Sequence, residues 1–244
     1  MSFVRVNKYL SERAGISRRE ADRCIEKGEV SVNGAVPFLG QLIDPEKDIV
    51  EFRGRVIEPE KAERLYYALY KPAGYISSEA KQGKDDRLVT ELVDCGRRLF
   101  TVGRLDKESE GIILLTDDGD MADRVLRSRN GHEKEYVVGL KHPVGEAVLE
   151  AVRAGGLDIG DRRPTGACRV EALSDRKVRM VLTEGMNREI RKIFALFDNE
   201  VVSLKRVRFM NIDITGLKPG EYRELTEDER DTLCLLAGTS KEDG

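Results

Sequence analysis

The pattern of apolar and polar positions at the start of the chain predicts two short helices followed by strands. Apolar residues recur at helical spacing behind Ser17, which forms a capping-box pattern with Glu20, and Gly28 supplies a left-handed stop. A shorter helix is predicted over about 6–14. The stretch 30–36 alternates around an Asn-Gly pair, which predicts a β-hairpin. These elements make a small unit that ends near residue 60.

Beyond residue 60 the pattern alternates between strand-like and helical stretches. The predicted strands are 66–70, 112–116, 136–140 and 178–183. Asp120 is the predicted cap of a helix that follows the second of these strands, and apolar residues at helical spacing predict another helix over 190–197. Because the strands are joined by both short and long connections, we expect an α+β fold with a mixed, largely antiparallel sheet.

A polar, proline-bearing segment at 58–64 is the predicted linker between the two stretches. Residues 1–62 then form a small module of helices and a hairpin, and residues 63–244 form the larger domain. With 244 residues, the chain is long enough for each domain to bury its own core.

Composition narrows the kinds of chemistry that the chain can perform. Hydrophobic residues make up 40% and charged residues 36%, and no apolar run is long enough to cross a bilayer. The four cysteines are far apart, which indicates free thiols in a reducing cytoplasm rather than disulfides. The chain has only two histidines, which argues against a zinc site with histidine ligands and against a Ser-His-Asp triad. Carboxylates, tyrosines and basic groups are therefore the candidate reactive groups.

The net charge of −3 argues, at first sight, against a nucleic-acid partner. Residues 221–244, however, contain eight acidic and three basic residues and carry −5, which leaves residues 1–220 at +2. The basic residues of that longer part also gather in patches. The overall charge is therefore compatible with RNA binding that weakens as salt rises.

Basic residues are concentrated in the two predicted N-terminal helices, where they could follow a phosphate backbone or form an ordinary solvated face. The sequence strings at 6–10, 17–21 and 28–34 resemble the small RNA-binding module of the S-four type. The resemblance implies RNA contacts by five basic residues of this module: Arg5, Lys8, Arg18, Arg19 and Arg23.

A second set of motifs lies in the larger domain. The string Gly103-Arg-Leu-Asp-Lys-Glu-Ser-Glu-Gly111 precedes a predicted buried strand, where a carboxylate can be held rigidly at the floor of a cleft. Together with the strings at 70–74, 132–136 and 184–191, it resembles the catalytic motifs of pseudouridine synthases. Over residues 1 to about 230, the chain resembles the RsuA family of bacterial ribosomal RNA pseudouridine synthases, which join an S-four module to a catalytic domain.

The resemblance implies a role for four residues of the catalytic site. Asp106 is the nucleophile, Tyr136 stacks on the target base and removes the final proton, Arg191 pairs with the catalytic carboxylate, and Leu204 packs beneath the site. An ion pair with Arg191 would keep Asp106 ionised, as a nucleophile requires. Without the resemblance, Asp106 is an ordinary turn or cap residue and Tyr136 an ordinary core residue.

Arg104 precedes Asp106 by two residues, so both side chains project to the same face of an extended segment. Arg104 could fill the gap left by a flipped nucleotide or hold its phosphate. The alternative is a structural ion pair with Glu108 or Glu110.

The predicted helix over 190–197 carries a basic stripe opposite its apolar face, and more basic residues follow shortly after it. RNA contact is favoured over a merely solvated face for this set: Arg188, Arg191 and Lys192 on the helix, and Lys205, Arg206 and Arg208 beyond it. The turn Lys71–Gly74 is interpreted as structural, a brace for the floor of the active site.

The resemblance implies an isomerase that flips a uridine out of structured RNA, cleaves its N-glycosidic bond, rotates the base and rejoins it through carbon. It implies no metal and no other cofactor, and a monomer in the cytoplasm without membrane attachment. The partner is ribosomal RNA; the 23S RNA is favoured, and 16S RNA or a tRNA stays open.

Two functions of other classes are compatible with the same fold. One is a non-catalytic RNA-binding or ribosome-assembly factor, against which the complete set of Asp106, Tyr136 and Arg191 argues. The other is a hydrolytic glycosylase, which would release free base where an isomerase would not.

Overall fold

The computed structural model describes residues 3–58, 63–78, 81, 83–127 and 131–238. The chain divides into two compact units, one made of Met1–Arg64 with Cys95–Arg98, the other of Leu65–Asp94 with Leu99–Gly244. Within the described residues, no helix has the length and apolar character that a membrane crossing requires.

The first unit combines two helices with short strands. Its elements are β1 (Val4–Arg5), α1 (Val6–Arg13), α2 (Arg18–Glu26), β2 (Val30–Val32), β3 (Leu42–Ile43), β4 (Val50–Phe52) and β5 (Arg55–Val56). Strand β1 pairs with β3, and β2, β4 and β5 form a separate antiparallel sheet. Leu10, Ala21, Ile43 and Val50 are fully buried at the centre of this unit.

Local sequence signals position helix α2 as predicted. The backbone N–H of Glu20 donates to the Ser17 hydroxyl oxygen at 3.0 Å, so Ser17 is the N-cap. Gly28 follows the helix with a φ of 72°, a backbone conformation that favours glycine. The helix therefore begins and ends where capping chemistry predicts.

The prediction of a hairpin over 30–36 is correct for the turn and wrong for the second strand. Asn33 and Gly34 have φ values of 52° and 82°, and the turn closes between Val32 and Ala35. Strand β2 then pairs with β4 instead of continuing the hairpin, and the next apolar residue, Val36, is exposed. Hydrogen bonds from Asn33 to Asp48 and from Ile49 to Asn33 tie the turn to the chain before β4.

The second unit contains one large sheet with helices packed against it. Its strands are β6 (Tyr66–Lys71), β7 (Tyr75–Ile76), β8 (Arg87–Leu88), β9 (Phe100–Val102), β10 (Glu110–Thr116), β11 (Lys134–Leu140), β12 (Arg169–Ser174), β13 (Lys177–Leu182), β14 (Val201–Phe209), β15 (Ile212–Asp213) and β16 (Tyr222–Glu224). Its helices are α3 (Gly119–Arg127), α4 (Glu146–Ala154), α5 (Glu189–Ala195) and α6 (Glu227–Leu236), with a 3-10 turn at Val89–Leu92.

The strand order of the large sheet is β12-β13-β11-β14-β10-β6-β16, with β15 pairing β14 and β9 pairing β10. Within the described residues, β10–β14 is the parallel pair of this sheet and its other pairs are antiparallel. This confirms the predicted α+β fold with a largely antiparallel sheet. One core, around Phe194, Met180 and Val138, lies beneath α4 and α5; another, around Ile112 and Val102, includes α3.

The parallel pair β10–β14 brings two backbones unusually close at Gly111. A Cβ atom at this position would lie 2.2 Å from the carbonyl oxygen of Arg206, and the φ of Gly111 is 117°. Only glycine allows this approach. Gly111 therefore fixes the position of Arg206 relative to the strand that follows the Asp106 loop.

The cap of α3 differs from the prediction. The carboxylate of Asp118, not that of Asp120, accepts from the backbone N–H groups of Asp120 and Met121, at 3.1 and 3.0 Å. Strand β10 ends at Thr116, whose hydroxyl accepts from the N–H of Asp118, and this turn places Asp118 at the cap.

Candidate active site

Asp106 lies in the loop between β9 and β10, and its side chain is about one-third exposed. The loop is fixed from below by Ser77, whose hydroxyl donates to the carbonyl of Leu105 at 3.1 Å and accepts from its N–H at 3.2 Å. Leu105 is buried, so Arg104 and Asp106 point away from the core. The sequence thus places a carboxylate on a rigid loop with access to solvent.

Lys71, at the end of β6, braces the same loop from within. Its fully buried ammonium donates to the carbonyls of Ser109 at 2.6 Å, Pro72 at 3.1 Å and Lys107 at 3.4 Å. Burial lowers the pKa of Lys71 to about 8, against the opposing effect of the nearby Asp106 charge. This agrees with the structural interpretation of the turn that follows β6.

The ion pair of Asp106 is made by Arg188. One guanidinium nitrogen of Arg188 lies 4.0 Å from the Asp106 carboxylate and 2.9 Å from that of Glu108. Arg188 precedes α5 in a left-handed conformation, with a φ of 53°. The hydrogen bond from Arg188 lowers the pKa of Glu108.

Arg191 does not form the predicted ion pair with Asp106, since no pair between them within 4 Å occurs among the described residues. Its guanidinium instead donates to the carbonyl of Val201 at 2.7 Å, and its Nε is buried without a hydrogen-bond partner. One turn further along α5 than Arg188, Arg191 faces β14 rather than the Asp106 loop. Lys192, also on this helix, pairs with Asp161 at 3.3 Å.

A cleft of about 470 Å³ adjoins this side of α5. Basic and acidic groups both line it, together with neutral residues: Lys141, His142, Arg188, Arg191, Ala195, Asp198, Asn199, Glu200 and Val201. Arg188 thus borders both the cleft and the Asp106 carboxylate.

Tyr136 lies on β11, directly opposite Arg206 on β14. The tyrosine is half-buried, and its ring packs against the core beneath α5. Burial raises the pKa of Tyr136; the Arg206 guanidinium opposes this effect, whereas Glu189 and Asp106 add to it. Asp106 and Tyr136 are therefore close enough for their charges to interact.

Leu204 and Arg104 occupy opposite environments at the site. Leu204 is buried on β14 opposite Val138. Arg104 is exposed and forms no ion pair or hydrogen bond within the described part of the chain. The alternative ion pairs are absent because Glu108 binds Arg188, and Glu110 lies 3.6 Å from the Lys205 ammonium.

Arg206 does not belong to an outward basic stripe as predicted; its side chain is 2% exposed. Its Nε donates to the carbonyl of Ile112 at 2.8 Å, and its guanidinium lies 5.0 Å from the centre of the Phe209 ring. Strand alternation with the buried Leu204 is the sequence signal that could have placed Arg206 inside. Arg208 does face outward, where it pairs with Glu133 at 2.9 Å.

Sequence reasoning also missed a buried acid beside the site, Glu189, which has a half-buried acidic neighbour, Glu184. Burial raises the pKa of Glu189, on the first turn of α5, to about 7. Its neighbour Glu184 accepts from the N–H of Gly166 at 2.6 Å and pairs with Arg163 at 2.7 Å. Nearby, burial lowers the pKa of Lys134.

The predicted RNA-binding residues of the first unit differ in their contacts. Arg5, Arg18 and Arg19 are exposed, and within the described residues they form no ion pair. Lys8 lies 3.8 Å from Glu12, and Arg23 lies 3.2 Å from Glu20. The Arg23 pair is exposed and therefore weak, whereas Lys8 and Glu12 are only partly exposed.

Comparison with known proteins adds independent information to this geometry. Residues 65–196 match the family model of RNA pseudouridylate synthases. The chain is 41% identical over 243 residues to the dual-specificity RNA pseudouridine synthase RluF of Escherichia coli, covering 99% of this chain and 82% of that protein. It is 33% identical to the ribosomal large subunit pseudouridine synthase B of Bacillus subtilis, covering 97% and 98%.

A solved structure described as a pseudouridylate synthase superposes on the chain with a TM-score of 0.68. It is 31% identical in sequence, and the match covers 94% of this chain and 99% of that one. Fold, motifs and relatives agree with one another. The chain therefore belongs to the RsuA family of RNA pseudouridine synthases, and it is an isomerase.

Proposed function

We propose that the chain converts a specific uridine of ribosomal RNA, in the 23S molecule, to pseudouridine, with Asp106 as the nucleophile. The observation that carries the proposal is the setting of Asp106: a carboxylate on a loop fixed by Lys71 and Ser77, with Arg188 4.0 Å away and Tyr136 within electrostatic reach. A carboxylate that is held on a fixed loop and open to solvent is suited to act as a nucleophile.

Each neighbouring side chain has a part in this reaction. The target uridine flips out of the RNA so that its base stacks on Tyr136, which removes the final proton, while Leu204 supports the site from beneath. Arg104, exposed and without an ion pair among the described residues, fills the gap in the RNA or holds its phosphate. Asp106 attacks the ribose or the base; both routes are compatible with its exposure.

RNA is held by basic groups of both parts of the chain. Arg188, Arg191 and Lys192 line one side of the catalytic site, and the exposed arginines of the first unit supply further charge. We propose that residues 1–62 are an RNA-binding domain of the S-four type and residues 63–244 the catalytic domain. The enzyme acts as a monomer in the cytoplasm.

The preference for 23S RNA follows from the relatives. The Bacillus subtilis relative is named as an enzyme of the large ribosomal subunit, and the Escherichia coli relative as a dual-specificity enzyme. A second RNA substrate, 16S RNA or a tRNA, is therefore included in the test.

The test incubates the purified full chain with 23S, 16S and tRNA transcripts and maps pseudouridine in each. We expect one or a few modified uridines with the wild type, and none with Asp106→Asn, which should bind RNA within a few-fold of wild type. Asp94→Asn, at an exposed position, is the matched control and should keep full activity. RNA binding by the wild type without pseudouridine formation would favour the non-catalytic factor, and release of free uracil would favour a glycosylase. An active Asp106→Asn variant would overturn the assignment of Asp106 as the nucleophile.

A further inference from the structure

Arg206 is a buried cation that forms no ion pair within the described part of the chain. Its side chain is 2% exposed, and no carboxylate lies within 4 Å of its guanidinium among the described residues. Its Nε is bonded to the carbonyl of Ile112, but its second terminal nitrogen is buried without a hydrogen-bond partner. Burying a charge in this way is costly unless a partner arrives or the charge has another use.

The group that faces Arg206 across the sheet is Tyr136. The two residues are opposite each other in the β11–β14 register, and each affects the ionisation of the other. The guanidinium lowers the pKa of Tyr136 against the effect of burial. The acidic groups facing Tyr136 are Asp106, from the loop before β10, and Glu189, from α5, and both act in the opposite sense.

Two further cations surround the guanidinium. The Arg206 charge lowers the pKa of Lys71 on β6 and of Lys134 on β11. Among the charged groups that act on Tyr136, Arg206 has the largest effect, ahead of Glu189 and Asp106. Its guanidinium therefore favours negative charge on the phenol oxygen.

The position of Arg206 is rigid. Its backbone is fixed by the close approach of Gly111, and its side chain by the hydrogen bond to Ile112 and the Phe209 ring. A fixed charge needs no rearrangement when a neighbouring group ionises, which is how preorganised sites stabilise charge.

We propose that Arg206 is a positioning residue for Tyr136, which it orients and whose phenolate it stabilises. The inference rests on the proposed function of Tyr136 as the base. In that step the phenolate oxygen takes the proton from the ring carbon newly bonded to the ribose, and the C–H electron pair returns to the ring. Arg206 stabilises the phenolate that must exist before this transfer.

The test replaces Tyr136 in the full chain with 3,5-difluorotyrosine, an isosteric phenol that ionises at lower pH and gives a single ¹⁹F NMR signal. The signal is titrated with Arg206, Arg206→Met and Arg206→Lys. We expect the midpoint to rise by about one pH unit or more in Arg206→Met, a tenfold loss of phenolate, and to rise less in Arg206→Lys, which keeps the charge. Arg208→Met, which removes an outward arginine two residues further along β14, should leave the midpoint unchanged.

Pseudouridine formation gives the functional readout. Arg206→Met should lower the single-turnover rate at least about tenfold at neutral pH. The fluorinated phenol should restore more activity to Arg206→Met than it adds to wild type, because a more acidic phenol replaces the lost stabilisation. If the role of Arg206 were purely structural, the activity of Arg206→Met would not depend on the acidity of the phenol at position 136.

The possible failures are distinguishable. If Arg206→Met folds and its ¹⁹F midpoint is unchanged, the proposed role of Arg206 is overturned. If Arg206→Met does not fold, the same conclusion follows when Arg206→Lys has an unchanged midpoint but a reduced rate. Full activity of Tyr136→Phe would instead overturn the proposed base and, with it, the use of Arg206 in the reaction. A shifted midpoint together with rescue by the fluorinated phenol supports the inference.

Discussion

Replacing the buried Glu189 by glutamine should stabilise the protein above neutral pH. Glu189 is 4% exposed; one carboxylate oxygen accepts from the N–H of Met186 at 2.9 Å, and the other is buried without a hydrogen-bond partner. Its neighbour Glu184 pairs with Arg163 and accepts from the N–H of Gly166. Glu189 is therefore the buried acid of this region whose pKa is raised.

The magnitude follows from the pKa. Burial raises the pKa of Glu189 from 4.5 to about 7, and a change of this size corresponds to about 3 kcal/mol. Between pH 4.5 and about pH 7, the folded protein binds more protons than the unfolded chain. The free energy of unfolding therefore falls as the pH rises through this range. Glu189→Gln removes this cost, and its amide can donate to Glu184.

The assay is denaturant unfolding from pH 5 to pH 8 for wild type, Glu189→Gln and the control Glu150→Gln, at an exposed position of α4. The stability gap between Glu189→Gln and wild type should grow with pH toward about 3 kcal/mol, and Glu150→Gln should show none. A gap that is constant with pH, or a variant less stable than wild type at pH 8, would refute the reasoning.

Three other substitutions test separate parts of the structure. Gly111→Ala should lower the free energy of unfolding by at least about 3 kcal/mol, because its methyl group would collide with the Arg206 backbone. The control Gly160→Ala, at a position with open space around it, should lower it by only about 1–2 kcal/mol. Ser17→Ala should cost about 1 kcal/mol by loss of the N-cap, measured by hydrogen exchange along α2; unchanged protection would contradict this role. Arg104→Met should leave stability unchanged and lower kcat/KM about tenfold, and unchanged kinetics would remove Arg104 from the site.

Local chemistry made several elements predictable. The Ser17 cap, the Asn33-Gly34 turn and the apolar run of β10 are each determined by residues next to one another in the sequence. The partner of β2 was not predictable in this way, because pairing with β4 depends on contacts between segments far apart in the chain. The choice of Asp118 over Asp120 as helix cap depended on where β10 ends.

At the site, motif resemblance named the residues but could not show which arginine meets which carboxylate. The left-handed conformation of Arg188 directs its side chain to Asp106, whereas Arg191 reaches the carbonyl of Val201. Arg206 was assigned to the surface because a charged residue is usually exposed. Its burial depends on the close pairing of β10 and β14 at Gly111, which only the three-dimensional structure reveals.

The measurement that tests the central claim most directly is pseudouridine mapping of total RNA from a strain lacking this gene. The account predicts that one or a few pseudouridines disappear from 23S RNA and return when the wild-type gene is restored. The gene carrying Asp106→Asn should not restore them, although its product folds and binds RNA. An unchanged pseudouridine map in the deletion strain, or full restoration by Asp106→Asn, would contradict the account.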